Sequence, residues 1–392
     1  VISVEAALAR VLALATPLEA ETVDLSDAAG RWLCTPVVAR RDQPPFAASA
    51  MDGYAVAVPP RPGARLMVIG EAGAGHGFAE AIGTGQAVRI FTGAPVPVEA
   101  THVVLQEDVE VQGNAIILTD RVGESTNIRP QGQDFRAGKA LGPRRLRPND
   151  LALLAAMNVP EVRVTRRPVV ALIATGDELV LPGEDPGPDQ IICSNTFALK
   201  ALVEAAGAEA RMLPIARDTE SDLRQVFALA DGADMVVTVG GASVGDHDLV
   251  ARVAGALGLE RAFYKISMRP GKPLMAGRLA GVPMLGLPGN PVSAIVCGHL
   301  FVVPLIRAML GDPAPAPQPR RAVLTEAVGA TGPRTHYMRA RLVEGPGLPG
   351  IAPFAHQDSA LLGVLAEADA LLIRPLGDGA RQAGEQVFYH PL

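Results

Sequence analysis

The spacing of hydrophobic and polar positions changes character repeatedly along the chain. Residues 1–16, VISVEAALARVLALAT, place apolar side chains at helical intervals with Glu5 and Arg10 between them. That predicts an amphipathic helix rather than a signal peptide or a membrane span. Residues 31–45 hold a short apolar strand and the turn-rich RRDQPPF. From 46 to about 135 the period falls to two, in short runs at Met51–Val58, Leu66–Gly70, Ala87–Thr92, His102–Val111 and Ala115–Thr119. Gly and Pro separate these runs, so they predict a small all-β unit, and its turn-rich edges suggest insertion into another domain. A helix resumes over 149–157, with Asn149 or Asp150 as its N-cap.

From Pro168 strand and helix patterns alternate. PVVALIAT precedes a helix over roughly 194–206, ARMLPIA precedes one over 220–230, and DMVVTV precedes one over about 247–257. AFYKI, strands near 273–287 and a long helix from Asn290 follow. Strands and helices of this length predict βαβ units and a parallel sheet, with a ligand site off the carboxyl ends of the strands. Beyond the proline-rich linker GDPAPAPQPRR, residues 320–392 return to short strands, with one short helix near 358–367. They read as a small C-terminal β domain.

Composition narrows the classes. At 392 residues, 48% hydrophobic and 19% charged, the chain is long enough for several cores. An aromatic content of 4% and a thinly spread net charge of −6 argue against a nucleic-acid surface. Cys34, Cys193 and Cys297 show neither a C-x-x-C pair nor zinc spacing, which fits reduced thiols in a cytoplasmic protein. Of 35 basic residues only Lys139, Lys200, Lys265 and Lys272 are lysine, and two of these fall in KISMRPGK. In a chain that otherwise uses Arg, this marks a place where a compact ammonium is wanted.

Candidate chemistry gathers where the α/β strands end. Thr175-Gly176-Asp177-Glu178 follows the first strand, Arg217-Asp218 the second, Gly240-Gly241-Ala242-Ser243-Val244-Gly245-Asp246-His247-Asp248 the third, and Pro288-Gly289-Asn290-Pro291 a later one. Singly, each is a turn or a helix cap. Together on one sheet edge they predict a shared ligand site. Glycines able to seat an anion, next to carboxylates, suit a phosphate carried with a divalent cation. The cations Lys265, Arg269 and Lys272 of KISMRPGKP would form a phosphate or oxyanion clamp. His247 has no second His within helical reach and reads as a solvated or capping residue. No P-loop is present in the sequence, and no G-x-G-x-x-G follows the first strand of the α/β unit.

Taken in order, PPFAASAMDGYA, RIFTGAPVP, NIRPQGQDFRAG, ATGDEL, the Asp218 turn, GGASVGDHD, KISMRPGKP and LPGNPVSA resemble the MoeA family, the molybdopterin molybdenumtransferases, which include the E domain of gephyrin. The resemblance runs over essentially the whole chain. It implies a multidomain α/β plus β fold: a linking domain at 1–45 and 136–165, with the N-terminal helix able to pack on the α/β domain, an inserted β-rich domain at 46–135, a molybdopterin-binding α/β domain at 166–312, and a C-terminal β-barrel at 313–392. It also implies a homodimer that inserts molybdate into adenylylated molybdopterin with Mg²⁺ and releases AMP. The molybdopterin adenylyltransferase is an implied partner.

Residue by residue, the resemblance assigns Asp52, Thr92, Asp134, Glu178, Asp218, Asp248 and Lys265 to catalysis, with Asp218 and Asp248 toward Mg²⁺. Substrate binding falls to Arg129, Gly240, Gly241, Ser243, Arg269, Lys272, Pro288, Gly289, Asn290 and Pro291. Arg339 in THYMRA and Ser359 in HQDS resemble the family's oxyanion-side Arg and Ser. Two alternatives share the α/β unit: an adenylyltransferase-like enzyme, and a non-catalytic scaffold of the same fold.

Overall fold

Val169–Ala174, Met235–Val239 and Val282–Leu287 lie side by side in parallel at the centre of a six-stranded sheet. These strands are almost continuously apolar and buried, as expected of a sheet covered on both faces. The computed structural model describes residues 1–241, 249–345 and 347–392, so Ser243 and Asp248 lie outside the described residues. Two units make up the chain, one comprising Val1–Glu21 with Thr165–Leu392 and the other Thr22–Val164.

In the first unit the sheet order is Glu209–Met212, Val169–Ala174, Met235–Val239, Val282–Leu287, Met275–Leu279, Glu260–Phe263. The first four strands are parallel, Met275–Leu279 runs antiparallel to them, and Glu260–Phe263 pairs antiparallel with Met275–Leu279 and so points the same way as the first four. The cause is local. Only Ala280 and Gly281 separate Met275–Leu279 from Val282–Leu287, and both have positive φ (49° and 86°). Two such residues make a tight hairpin, which leaves no room for a helical crossover. The chain leaves Val169–Ala174 on one side for Glu209–Met212 and returns on the other as Met235–Val239. The order therefore reverses between Val169–Ala174 and Met235–Val239, and a crevice opens off their carboxyl ends.

Helices Asn195–Ala205, Glu220–Leu229 and Leu249–Ala256 fall within about two residues of the periodicity-based ranges. The helical run Pro291–Met309 passes through a wider turn at Gly298–Val302, where a Cβ on Gly298 would meet Leu199 Cδ2 at 2.8 Å. This run is long and apolar enough to cross a membrane, yet 72% of it is buried inside the unit, as in a core helix. The N-terminal helix Val4–Leu12 is capped by Ser3 and belongs to this unit, where Arg10 Nη1 donates to the Ala262 carbonyl at 3.0 Å.

Residues 320–392 close into a five-stranded barrel. Thr335–Val343 pairs with Gly350–Pro353, which pairs with Arg320–Leu324, then Gln386–Pro391, then Ala370–Arg374, which returns to Thr335–Val343. Closure leaves no free edge within the ring, and small residues such as Ala322, Ala340 and Ala370 fit its interior. Outside the ring, Met268–Arg269 adds in parallel to Thr335–His336.

The second unit contains a six-stranded β-sheet in the order His102–Leu105, Gly53–Val56, Gln86–Ile90, Arg65–Ala72, Ala115–Leu118, Val109–Gln112. Its helix is Pro148–Ala156, one residue longer at the start than the pattern suggests. Arg147 is the N-cap, and the Asp150 carboxylate reaches back to the Arg147 N–H at 2.9 Å. Asp150 is therefore the third residue of the first turn, not the cap. Pro148 is compatible with this start because its missing N–H would be unpaired there anyway.

Candidate active site

A cavity of about 850 Å³ opens at the carboxyl ends of the parallel strands. Each polar cluster contributes to its wall: Thr175 and Glu178, Asp218, Gly240 and Gly241, and Pro288-Gly289-Asn290-Pro291. The convergence follows from topology, since parallel strands deliver their following loops to the same edge.

Gly240 and Gly241 form the floor. Their φ values are +98° and +64°, a region that L-residues rarely adopt. A Cβ on Gly240 would lie 2.5 Å from the Thr175 carbonyl oxygen, and one on Gly241 would lie 2.8 Å from Thr175 Oγ1. Glycine is required here by both backbone angle and space. The Thr175 hydroxyl beneath this turn is 2% exposed as a residue and has no hydrogen-bond partner among the described residues. A buried hydroxyl left unpaired costs stability, so this one is available to a ligand group.

The acidic side is built on the neighbouring turn. A side chain at Gly176 would collide with the Glu178 carboxylate, which folds back over it. Asp218 N donates to Asp177 Oδ1 at 3.1 Å. Burial, together with the nearby Asp177 and Glu178 charges, pushes the Asp218 carboxyl above its ordinary range. This crowding of like charge is what a bound cation would relieve, so Asp218 suits a divalent ion. No set of three or more potential ligands is close enough to hold a metal among the described residues, and Asp248 is not one of those.

Opposite, Asn195 Nδ2 donates to the Gly289 carbonyl at 2.7 Å and ties the start of helix Asn195–Ala205 to the PGNP turn. Asn290 Nδ2 donates to Ser359 Oγ at 2.9 Å. Arg339 sets that contact up. It is 1% exposed, and its guanidinium donates to Gln357 Oε1 and to the Asp358 carbonyl at 2.7 Å. It thereby holds the loop that carries Ser359.

Of KISMRPGKP, Pro273 lines the cavity, whereas Lys265, Arg269 and Lys272 are not among its lining residues. Lys265 Nζ lies 5.0 Å from the Tyr264 ring centroid, and Arg269 stands opposite His336 on the barrel. Sequence reasoning missed Cys193, Ser194, Asn195 and Arg252, all of which line the cavity. Asn195 carried a signal, a Ser-Asn pair opening a helix after a strand. Arg252 sits within a helix and carried none.

In the second unit Asp52 and Thr92 meet. Asp52 Oδ1 accepts from both Thr92 N and Thr92 Oγ1 at 2.7 Å, and these bonds hold the exposed Asp52 carboxyl below its ordinary range. Arg129 pairs in register with Ala48, and Asp134 N donates to the Gln43 carbonyl at 3.0 Å. Both side chains face solvent.

A glycine-lined cradle, carboxylates and a barrel-borne serine at one sheet edge define an α/β unit suited to a phosphate-bearing ligand, in a chain that also carries β-rich domains. Residues 2–158 match the MoeA N-terminal region (domain I and II), 171–308 a probable molybdopterin binding domain, and 321–392 the MoeA C-terminal region (domain IV). The chain is 36% identical over 385 residues to a molybdopterin molybdenumtransferase from Nostoc sp., covering 94% of this chain and 88% of that protein. It is 32% identical to the Haemophilus influenzae molybdopterin molybdenumtransferase, covering 96% and 94%. The fold superposes on a molybdopterin biosynthesis MoeA protein from Pyrococcus horikoshii with a TM-score of 0.84 at 26% identity, covering all of both chains. The chain belongs to the MoeA family of molybdopterin molybdenumtransferases. It is an enzyme of molybdenum cofactor biosynthesis that acts by molybdenum insertion. The matches over 2–158 and 321–392 set aside an enzyme with the α/β unit alone.

Proposed function

We propose that the substrate is adenylylated molybdopterin and that molybdate insertion is coupled to cleavage of its phosphoanhydride, with release of AMP. The observation that carries this reading is the cavity in which the Gly240-Gly241 turn and the unpaired Thr175 hydroxyl adjoin Glu178 and Asp218. Backbone and hydroxyl donors suit phosphate oxygens, and the carboxylates suit a cation that travels with them. Mg²⁺ would be held by Asp218 and Asp248 and would neutralise charge on the departing phosphate. Glu178 and Asp218 orient the attacking group, and the Asn290–Ser359 contact presents the oxyanion side, with Lys265, Arg269, Lys272 and Arg339 supplying positive field there. The enzyme works in the cytoplasm as a homodimer and receives substrate from the adenylyltransferase.

AMP is measured after incubation with adenylylated molybdopterin, Mg²⁺ and molybdate. Release that depends on both ions is expected, and equal release without molybdate would make the protein a plain pyrophosphatase. In the homodimer, the Asp52–Thr92 pair of one chain completes the partner's cavity. Subunit exchange between inactive Asp52→Ala and inactive Asp218→Asn proteins should then restore roughly a quarter of wild-type activity, by the symmetry of an isologous pair. Exchange without recovery would put both residues in one chain's site.

A further inference from the structure

The cavity has an imbalance of charge. Glu178 and Asp218 line it, Asp177 stands directly behind them, and Arg252 is the single cation among the described lining residues. A ligand bearing phosphates would be repelled by these carboxylates unless some fixed positive charge met it. We propose that Arg252 is that charge: it anchors the phosphate-bearing part of the substrate in the α/β cavity. The inference deepens the reading of the site as a phosphoanhydride-cleaving one and rests on it for the identity of the substrate.

Three observations support the assignment. First, the direction of Arg252 is set by its helix. Val250, Val253 and Ala254 of Leu249–Ala256 are buried against the sheet core, which turns the intervening Arg252 away from the core. Second, Arg252 forms no ion pair or hydrogen bond among the described residues. Three other arginines of this unit are engaged: Arg217 donates to the Asp177 carbonyl at 3.4 Å, Arg166 pairs with Asp234, and Arg339 is spent on the 356–358 loop. Third, the donors sharing the wall with Arg252, at Thr175 and the Gly240-Gly241 turn, are neutral. They can shape a phosphate site but cannot offset its charge. A guanidinium offers a planar fork that matches two phosphate oxygens at once, which an ammonium cannot do.

The test compares wild type with Arg252→Gln and Arg252→Lys. Two readouts are taken: steady-state AMP release against substrate concentration, and calorimetric binding of inorganic pyrophosphate at several salt concentrations. Arg252→Gln should raise KM about tenfold or more, as loss of one charge-assisted contact implies, with kcat within about threefold. It should weaken pyrophosphate by a similar factor and flatten its salt dependence. Arg252→Lys should restore part of both. Unchanged thermal unfolding in both variants separates this from a structural role. Equal pyrophosphate affinity in wild type and Arg252→Gln, including no binding by either, overturns the proposal. Wild type that binds pyrophosphate through Arg252 yet releases no AMP would sink the reaction while leaving the anchor standing.

Discussion

Asn290 Nδ2 donates to Ser359 Oγ at 2.9 Å, and the Ser359 carbonyl accepts from Val292 N at 3.0 Å. The barrel loop is thus fastened to the first turn of helix Pro291–Cys297, at the rim of the cavity. Removing the hydroxyl in Ser359→Ala should cost about 1 kcal/mol of stability, the net worth of one neutral hydrogen bond. If the same hydroxyl meets the oxyanion, the molybdate KM should rise about tenfold while the KM for the pterin substrate holds. Both constants come from one AMP-release assay. A proportional rise in the two would reduce Ser359 to a structural tie.

Asp218 is held in an unfavourable place by burial and by Asp177 and Glu178, so its carboxyl pKa is raised. A carboxylate with a raised folded pKa takes up its proton in the folded state before it does so unfolded. Its penalty is therefore present at neutral pH and is relieved as pH falls through the raised value. Asp218→Asn removes that charge while keeping the shape. The variant should unfold at a temperature equal to or above wild type at pH 7, and it should lose AMP release by about a hundredfold or more if Asp218 acts in the reaction. Scanning calorimetry and the AMP assay decide it together. Lower stability combined with full activity would invert the reading.

How much of this was legible in the chain differs by element. The polar clusters after PVVALIAT, ARMLPIA and DMVVTV could be placed on one edge because βαβ topology sends every such loop there, and they do line one cavity. The antiparallel edge was harder, since Ala280-Gly281 announces a tight turn only when Ala280 is known to take positive φ. The cations of KISMRPGKP were conspicuous in sequence, yet strand pairing carries Met268–Arg269 to the barrel rather than the cavity. Arg252 was invisible for the opposite reason: a lone Arg in an amphipathic helix looks like any solvated residue. Arg339 was found by resemblance, but its burial beneath the 356–358 loop is a tertiary fact that no local pattern encodes.

Two arginines share one carboxylate in the barrel, and they should differ sharply. Arg374 is 1% exposed, and its Nε donates to Asp378 Oδ2 at 2.6 Å while Nη2 donates to the Gly329 and Gly379 carbonyls. Arg381 reaches the same carboxylate from a side chain that is 40% exposed. Truncating the buried member takes from Asp378 its buried partner, leaving only the exposed Arg381, and leaves two carbonyls unpaired, so Arg374→Met should cost about 3–5 kcal/mol. Arg381→Met should change stability little, because solvent replaces the lost partner. Urea unfolding of the two variants measures both. Similar losses would mean that burial does not set the worth of these contacts.

His336 makes a pH-dependent prediction about the same barrel. Arg269 and Arg374 are its register partners on either side, Arg339 lies further along its own strand, and Arg334 immediately precedes that strand. Its Nε2 is buried without a hydrogen-bond partner. Burial first, and then the four arginines, depress its pKa to about 4. Above its ordinary value of 6.5 the ring is neutral folded and unfolded, and it contributes no pH dependence. Between 6.5 and about 4 the unfolded chain binds a proton that the folded barrel refuses, so stability must fall as pH falls through that window. Burial also lowers the His299 and His390 values, so the wild-type slope is a sum of several groups. The contribution of His336 is isolated by subtraction. Melting temperatures of wild type and His336→Gln are followed from pH 7.5 to 4.5, above the range where Asp378 and its arginines begin to release each other. The His336→Gln profile should be the flatter of the two, with the gap opening below pH 6.5. Parallel profiles would show that this histidine accepts its proton in the folded barrel as readily as in the open chain, and the arginine surroundings would then have no hold on it.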